Sequence, residues 1–89
     1  MAQKSWQKYL TEEQYWSLTY PGRVMADYWT EWLPKTSKKM HAEETLYPHL
    51  KAEGEKLLDL QVDLMRSGMA EDGAWEVVKE EIFSLPTER

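Results

Sequence analysis

The chain has 89 residues, 42% of them hydrophobic, a formal net charge of −5 and no cysteine. This length predicts a single domain with one small core, and the absence of cysteine excludes disulfides, thiolate catalysis and cysteine-based zinc sites. The negative charge opposes binding to a nucleic-acid phosphate backbone and favours a basic partner. The first residues lack the apolar segment of a signal peptide, and no apolar run reaches the roughly 20 residues of a membrane span. We therefore expect a cytoplasmic protein that does not enter a membrane.

The first predicted helix begins after Thr11 and ends near Tyr20, and a short turn or helix over residues 5–10 precedes it. Thr11 and Gln14 have the spacing of a capping box. The two glutamates that follow Thr11 fall in the first turn, where their negative charges interact favourably with the positive end of the helix dipole. We expect the helix to end near Tyr20 because the residue before Pro21 disfavours the α conformation.

The second predicted helix runs from about Pro21 to Leu33 and is the clearest amphipathic segment. Apolar residues recur every four positions in two adjacent rows, which predicts one broad stripe that packs against the core. The predicted polar face carries Arg23, Asp27, Thr30 and Glu31. The stripe consists of Val24, Met25, Tyr28, Trp29, Trp32 and Leu33.

The middle of the chain leaves two arrangements open. Residues 34–37 are typical of a linker, after which Ser37 would cap a helix over residues 38–46. Pro48 either ends that helix or kinks it. Residues 38–66 therefore form one bent helix or two separate helices.

The last predicted helix runs from about Glu71 to Ser84 and ends before Pro86. It follows a glycine C-cap at Gly68. Its apolar row consists of Ala74, Val78, Ile82 and Leu85.

The pattern as a whole predicts an all-α fold, a compact bundle of four to five short helices with no sheet. We expect one helical domain over residues 1–89. Residues 1–4 and 86–89 are expected to be frayed, because chain ends are ordered only where contacts hold them.

No pattern of reactive side chains predicts catalysis or a cofactor. His41, Glu44, His49 and Glu53 lie close in sequence, but di-metal bundles place glutamate three residues before histidine, and this segment does not. Adjacent carboxylates lie in strongly polar segments rather than in an apolar cleft that would shift their pKa values. The serines lack a nucleophile signature, and the glycines form no phosphate-binding loop.

Two charged regions can each be interpreted either as a binding surface or as an ordinary solvated surface. Asp59 and Asp63 lie one turn apart, and so do Glu76 and Glu80. Such rows are either solvated helix faces or surfaces that occupy a basic groove as a nucleic-acid mimic. A positive cluster of Lys35, Lys38 and Lys39 is either a solvated linker or a contact for phosphate.

The first third of the chain is the best candidate for a contact surface, because it holds eight of the eleven aromatic residues. Tyrosine and tryptophan combine an apolar ring with a hydrogen-bonding group, which suits the boundary between a core and an interface. The stripe of the second helix accounts for Tyr28, Trp29 and Trp32 as core residues. Tyr9, Trp16 and Tyr20 remain as the predicted contact residues, since exposed rings of this kind act as binding hot spots.

Two segments resemble TnpV-type transposon proteins, which belong to the short helical proteins encoded by phages, plasmids and transposons. The first runs from Tyr15-Trp16-Ser17-Leu18 through Gly22-Arg23-Val24 to Tyr28, and the second from Gly68-Met69 through Ala74-Trp75-Glu76-Val77-Val78 to Leu85-Pro86. The resemblance implies a mobile-element origin and a small non-enzymatic role, and it carries over no catalytic residue. Proteins of that origin include inhibitors of host defence systems, which would suit an acidic surface.

These observations favour a non-enzymatic module that binds another protein through Tyr9, Trp16 and Tyr20, with acidic helix faces assisting. A basic nucleic-acid-binding protein fits as the partner, and the surplus of aromatic surface also fits a homodimer. The alternative is a DNA-associated accessory protein of a transposon or phage that uses its lysine cluster.

Overall fold

The computed structural model describes residues 4–84 together with Thr87 and Glu88. This part of the chain contains one 3₁₀ helix, five α-helices and no strand, which confirms the predicted all-α bundle. None of its helices combines the length and apolarity that crossing a membrane would require. The elements are a 3₁₀ helix at Ser5–Lys8, α1 at Glu12–Ser17, α2 at Tyr20–Trp32, α3 at Pro34–Ala42, α4 at Leu46–Arg66 and α5 at Glu71–Ile82.

The capping box at the start of α1 is confirmed, whereas the predicted end of this helix is wrong. Thr11 Oγ1 accepts a hydrogen bond from the Gln14 backbone N–H, and the Gln14 side chain accepts one from the Thr11 N–H, both at 3.1 Å. Tyr20 belongs to α2 because Thr19 Oγ1 caps that helix, accepting from the Gly22 N–H at 3.2 Å. Pro21 therefore marks the first turn of α2, where its missing N–H leaves no bond unmade.

The predicted linker at residues 34–37 is also wrong, because α3 begins at Pro34. Proline fits the first turn of a helix and sets the backbone angle that the helix needs. Ser37 is buried inside α3 instead of capping it, and its hydroxyl donates to the Trp29 carbonyl oxygen at 2.9 Å. This bond holds α3 against α2.

Residues 38–66 form two helices, which settles the alternative left open by the sequence. α3 ends at Ala42, and Glu44 has a left-handed backbone with a φ of 60°. Pro48 lies in the first turn of α4, where it neither kinks nor ends the helix. The glycine C-cap of α4 is confirmed, since Gly68 has a φ of 107° and the Met69 N–H donates to the Leu64 carbonyl at 3.1 Å.

The chain ends form hydrogen bonds at the two terminal positions that the structure describes, Lys4 and Glu88, and the fraying of residues 1–4 and 86–89 stays a prediction. The Lys4 N–H donates to Gln7 Oε1 at 2.6 Å, and the Glu88 N–H donates to the Trp32 carbonyl at 2.8 Å. Residues 1–3, 85, 86 and 89 lie outside the described part of the chain. The predictions that concern Leu85 and Pro86 lie outside it as well.

Glu88 supplies the N-terminal cap that α3 lacks in its own sequence. Leu33 occupies the cap position and has no side-chain acceptor. The Glu88 carboxylate accepts hydrogen bonds from the N–H groups of Lys35 at 2.8 Å and Thr36 at 3.1 Å, and from the Thr36 hydroxyl at 2.5 Å. The negative charge of Glu88 also interacts favourably with the positive, N-terminal end of the α3 dipole.

The close contact between α2 and α4 is made by two glycines. A Cβ atom added to Gly54 of α4 would lie 2.8 Å from Gly22 Cα of α2 and 2.8 Å from Thr19 Oγ1. Side chains at these positions would separate the helices, so glycine permits an approach that no other residue allows. The core around this contact contains Trp6, Leu10, Tyr15, Leu18, Met25, Ala26, Trp29, Leu33, Leu46, Leu50, Leu57, Val78 and Ile82.

The buried face of α2 is rotated relative to the predicted stripe. Gly22, Ala26 and Thr30 form a buried row of small residues, so the prediction that Thr30 lies on the polar face is wrong. Thr30 tolerates burial because its hydroxyl bonds to the Ala26 carbonyl at 2.7 Å and to Ser5 Oγ at 2.9 Å. Trp32, predicted as a core residue, is 44% exposed at the edge of this face.

We expect Gly54→Ala to lower the free energy of unfolding by about 1–2 kcal/mol. Alanine favours a helix interior over glycine by about 1 kcal/mol, but forcing a methyl group against backbone costs about 1–3 kcal/mol, and displacing Thr19 also weakens a helix cap. Chemical denaturation followed by circular dichroism measures the change.

Gly73→Ala is the matched control, because a Cβ there would meet the flexible Met69 side chain at 3.1 Å rather than backbone. We expect this variant to be as stable as the wild type or more stable by up to about 1 kcal/mol. Equal stability of the two alanine variants would contradict the close approach of α2 and α4.

We expect Glu88→Ala to loosen the first turn of α3 and to speed hydrogen exchange at the amides of Lys35 and Thr36. The hydrogen bond from the Thr36 hydroxyl holds the pKa of Glu88 below its usual range, so the cap is present above that range and is lost as the pH falls through the lowered pKa. Glu81→Ala removes an equal charge from an exposed position and is the control. Equal protection of both amides in the two variants would refute the capping role.

Candidate functional site

α1 places two adjacent aromatic residues in different environments, one in the core and one on the surface. Tyr15 is 8% exposed and packs in the core, whereas Trp16 is 64% exposed. Consecutive residues of a helix point about 100° apart, so the capping box that fixes α1 also fixes which ring is buried. Tyr20, in the first turn of α2, is 57% exposed.

Arg23 joins the two exposed rings into one surface. Its guanidinium carbon lies 5.3 Å from the Trp16 ring centroid and 5.9 Å from that of Tyr20, within the range of a cation–π contact. Its Nη1 donates to the Leu18 carbonyl at 2.8 Å, which anchors the side chain. We call Trp16, Tyr20, Arg23 and Trp75 the aromatic patch, because the Tyr20 ring lies 5.1 Å from the half-buried Trp75 ring of α5.

Tyr9, the third predicted contact residue, lies in a different place. It is half-buried, and its ring centroid lies 5.3 Å from that of His41 on α3. It lines a separate groove of about 560 Å³, together with Gln14 and Tyr47. No ring contact links Tyr9 to the aromatic patch within the described residues.

The four predicted acidic contact residues are all exposed, on α4 and α5, but two of them have cationic neighbours. Asp63 lies 3.9 Å from Arg66, and Glu76 lies 3.1 Å from Lys79. Asp59 and Glu80 have no ion-pair partner among residues 4–84, 87 and 88. The structure therefore presents alternating charges rather than an unbroken row of carboxylates.

The histidines lie in ring contacts on separate helices. His41 is on α3 beside Tyr9, and His49 is on α4 with its ring centroid 5.2 Å from that of Trp29. Among the residues that the structure describes, no group of three or more histidine, aspartate or glutamate side chains is placed to hold a metal ion. Lys35, Lys38 and Lys39 are exposed on α3 rather than on a linker.

A second groove, which the sequence did not predict, lies between the 3₁₀ helix, α1, α2 and the end of α5. It has a volume of about 550 Å³, and we call it the Asp27 groove. Its charged residues are Lys4, Asp27 and Glu31. Its aromatic residues are Trp6, Tyr15, Tyr28, Trp32 and Phe83.

Asp27 and Tyr15 form the polar centre of this groove. The Tyr15 hydroxyl donates to both carboxylate oxygens at 3.1 Å, and the Tyr15 ring is stacked on Trp6 with centroids 4.0 Å apart. Burial raises the pKa of Tyr15 to about 12, and the negative charge of Asp27 acts in the same direction. Burial also raises the pKa of Asp27, against the hydrogen bond from Tyr15 and the positive charge of Lys4.

One property of the sequence points to this pair, although the hydrophobic periodicity does not. A buried tyrosine needs a hydrogen-bond partner for its hydroxyl, and the adjacent rings of Tyr15 and Trp16 cannot both lie on the same face of a helix. The partner, twelve residues away, depends on the angle between α1 and α2, which periodicity does not specify.

Comparison with known proteins does not indicate a function for this chain. No protein-family model matches the chain, and neither the curated proteins nor the solved structures contain a significant match. The resemblance to TnpV-type proteins therefore stays a prediction.

We expect the Tyr15 phenol to ionise near pH 12 in the folded protein. Because its pKa is about 10 in the unfolded chain, the unfolded state loses this proton first, and stability falls by about 2–3 kcal/mol as the pH rises from about 10 to 12. Absorbance of tyrosinate, with denaturation curves across this range, measures both effects.

Asp27→Asn tests the cause of the shift. It removes the negative charge, so the pKa of Tyr15 should fall, yet it should stay raised because burial is the larger cause. Tyr15→Phe identifies the transition that belongs to this residue. Ionisation of Tyr15 at its usual pKa in the wild type would contradict the buried pair.

Proposed function

We propose that this protein is a non-enzymatic interaction module that binds another protein through the aromatic patch. One observation carries the proposal: Trp16 and Tyr20 expose more than half of their surface while Arg23 lies against both rings. Contiguous exposed aromatic rings on a small domain are typical of a surface that a partner covers.

The composition and order of the patch support this role. Tryptophan, tyrosine and arginine are the residue types most enriched among binding hot spots, and the patch contains only these three. The cation–π contacts and the bond from Arg23 to Leu18 restrict the side chains before any partner arrives. Such preorganisation lowers the entropy that is lost on binding.

A basic, nucleic-acid-binding partner is the sharper form of this proposal, as an inhibitor of host defence would require. The net charge of −5 and the exposed Asp59 and Glu80 support it. Asp63 is paired with Arg66 and Glu76 with Lys79, which reduces the negative charge that these residues present. The acidic residues therefore support a basic partner less strongly than the aromatic patch supports protein binding. A role as a DNA-associated accessory protein would depend on the lysines of α3. The rest of the chain is acidic and would repel the phosphate backbone of DNA.

We expect Trp16→Ala and Tyr20→Ala each to weaken partner binding by about ten-fold or more, because hot-spot truncations typically cost over 1 kcal/mol. Partners captured by the wild type are identified, purified and measured against each variant by calorimetry. A size measurement of the free protein shows beforehand whether a second copy is the partner.

Met65→Ala is the control, since Met65 is also an exposed apolar residue but lies on α4. Equal binding by all three variants would refute the patch as the interface. The inhibitor form requires, in addition, that salt and reversal of charge at Asp59 or Glu80 weaken the complex. A gel shift of DNA that disappears on substitution of Lys35, Lys38 and Lys39 would favour the accessory role instead.

A further inference from the structure

The Asp27 groove contains a carboxylate with unused hydrogen-bonding capacity. An ionised carboxylate has about four lone-pair sites, and within the described residues only the Tyr15 hydroxyl donates to Asp27. Asp27 is exposed on its remaining side and lines the groove. A donor that enters the groove can therefore reach it.

The walls of the groove attract positive charge. Trp32 and Phe83 are both exposed, and the faces of aromatic rings carry negative potential. Phe83 is held by an edge contact with Tyr28, with centroids 4.9 Å apart. Aromatic walls around a carboxylate suit a ligand that is cationic at its tip and apolar along its stem.

Lys4 lines the groove beside Asp27. The positive charge of Lys4 is close enough to lower the pKa of Asp27. Lys4 and Asp27 nevertheless form no ion pair. Lys4 is thus a weak internal competitor for any cation that binds there.

We propose that the Asp27 groove binds an organic cation, the guanidinium or alkylammonium group of a small molecule or of a protein side chain. The cation donates hydrogen bonds to the Asp27 carboxylate, while Trp32 and Phe83 cover its apolar stem. Tyr15 positions the carboxylate from behind. The groove shares no residue with the aromatic patch, so this site does not rest on the proposed function.

The test compares a capped arginine, N-acetyl-arginine methylamide, with the matching citrulline derivative, which has nearly the same shape and no charge. Titrations of the labelled full chain are followed by nuclear magnetic resonance. We expect saturable shifts with the arginine probe at Asp27, Phe83 and the Trp32 indole, with a dissociation constant of about 1–10 mM. The citrulline probe should bind about ten-fold more weakly.

Two substitutions should change the affinity in opposite directions. Asp27→Asn should weaken binding of the arginine probe by about ten-fold, whereas Lys4→Gln should strengthen it about two-fold by removing the competing charge. Lys4 is exposed, so the second variant keeps the test valid even if the first disturbs the fold.

The source of the cation is identified by two further probes, agmatine and a short peptide with one central arginine. Tighter binding of the peptide than of agmatine identifies a protein side chain, and the reverse identifies a small molecule. Equal binding of the arginine and citrulline probes, or shifts that map away from the groove, would overturn the proposal. Unchanged affinity in both Asp27→Asn and Lys4→Gln would overturn it as well.

Discussion

The close approach of α2 to α4 at Gly22 and Gly54 is the constraint on which the rest of the bundle depends. Because neither residue has a side chain, the two backbones touch, and Thr19 fits beside them as both a helix cap and a packing group. This close approach also explains why α2 buries a row of small residues, rather than most of its large aromatic rings, at its contact with α4. Trp29 stays in the core, whereas Tyr20, Tyr28 and Trp32 lie at the edges of α2, where they line a groove or join a surface.

The position of α1 relative to α2 produces two sites of opposite character. Tyr15 reaches inward to Asp27, and its neighbour Trp16 extends outward to Arg23. Asp27 and Arg23 lie one turn apart on α2, so a single helix supplies the charged group of each site. One site presents a cation between exposed rings, and the other presents a carboxylate among rings. The same few residues therefore give the domain two surfaces with complementary electrostatic preferences.

Local patterns in the sequence were sufficient for the fold class, the Thr11 capping box and the Gly68 C-cap, because each depends on residues within about one turn of one another. The start of α2 agrees with the prediction to within one residue, but α1 ends earlier than predicted. The start of α3 at Pro34 differs from the predicted linker over residues 34–37, because the proline occupies the first turn of a helix. Glu88, Thr30 and the Tyr15–Asp27 pair depend on contacts between distant segments, which no local pattern encodes. Of the predicted contact residues, Trp16 and Tyr20 lie together, but the partnership with Arg23 and Trp75 needed the packing of α5.

The shallow attachment of α3 has a consequence for how the domain moves. Ser37 is the buried residue of this helix, its first turn is capped by a residue 52 positions away from Thr36, and its exit uses a left-handed glutamate that costs about 1 kcal/mol. α3 thus has fewer buried residues than α2, α4 or α5, and we expect its backbone amides to exchange faster than those of these three helices.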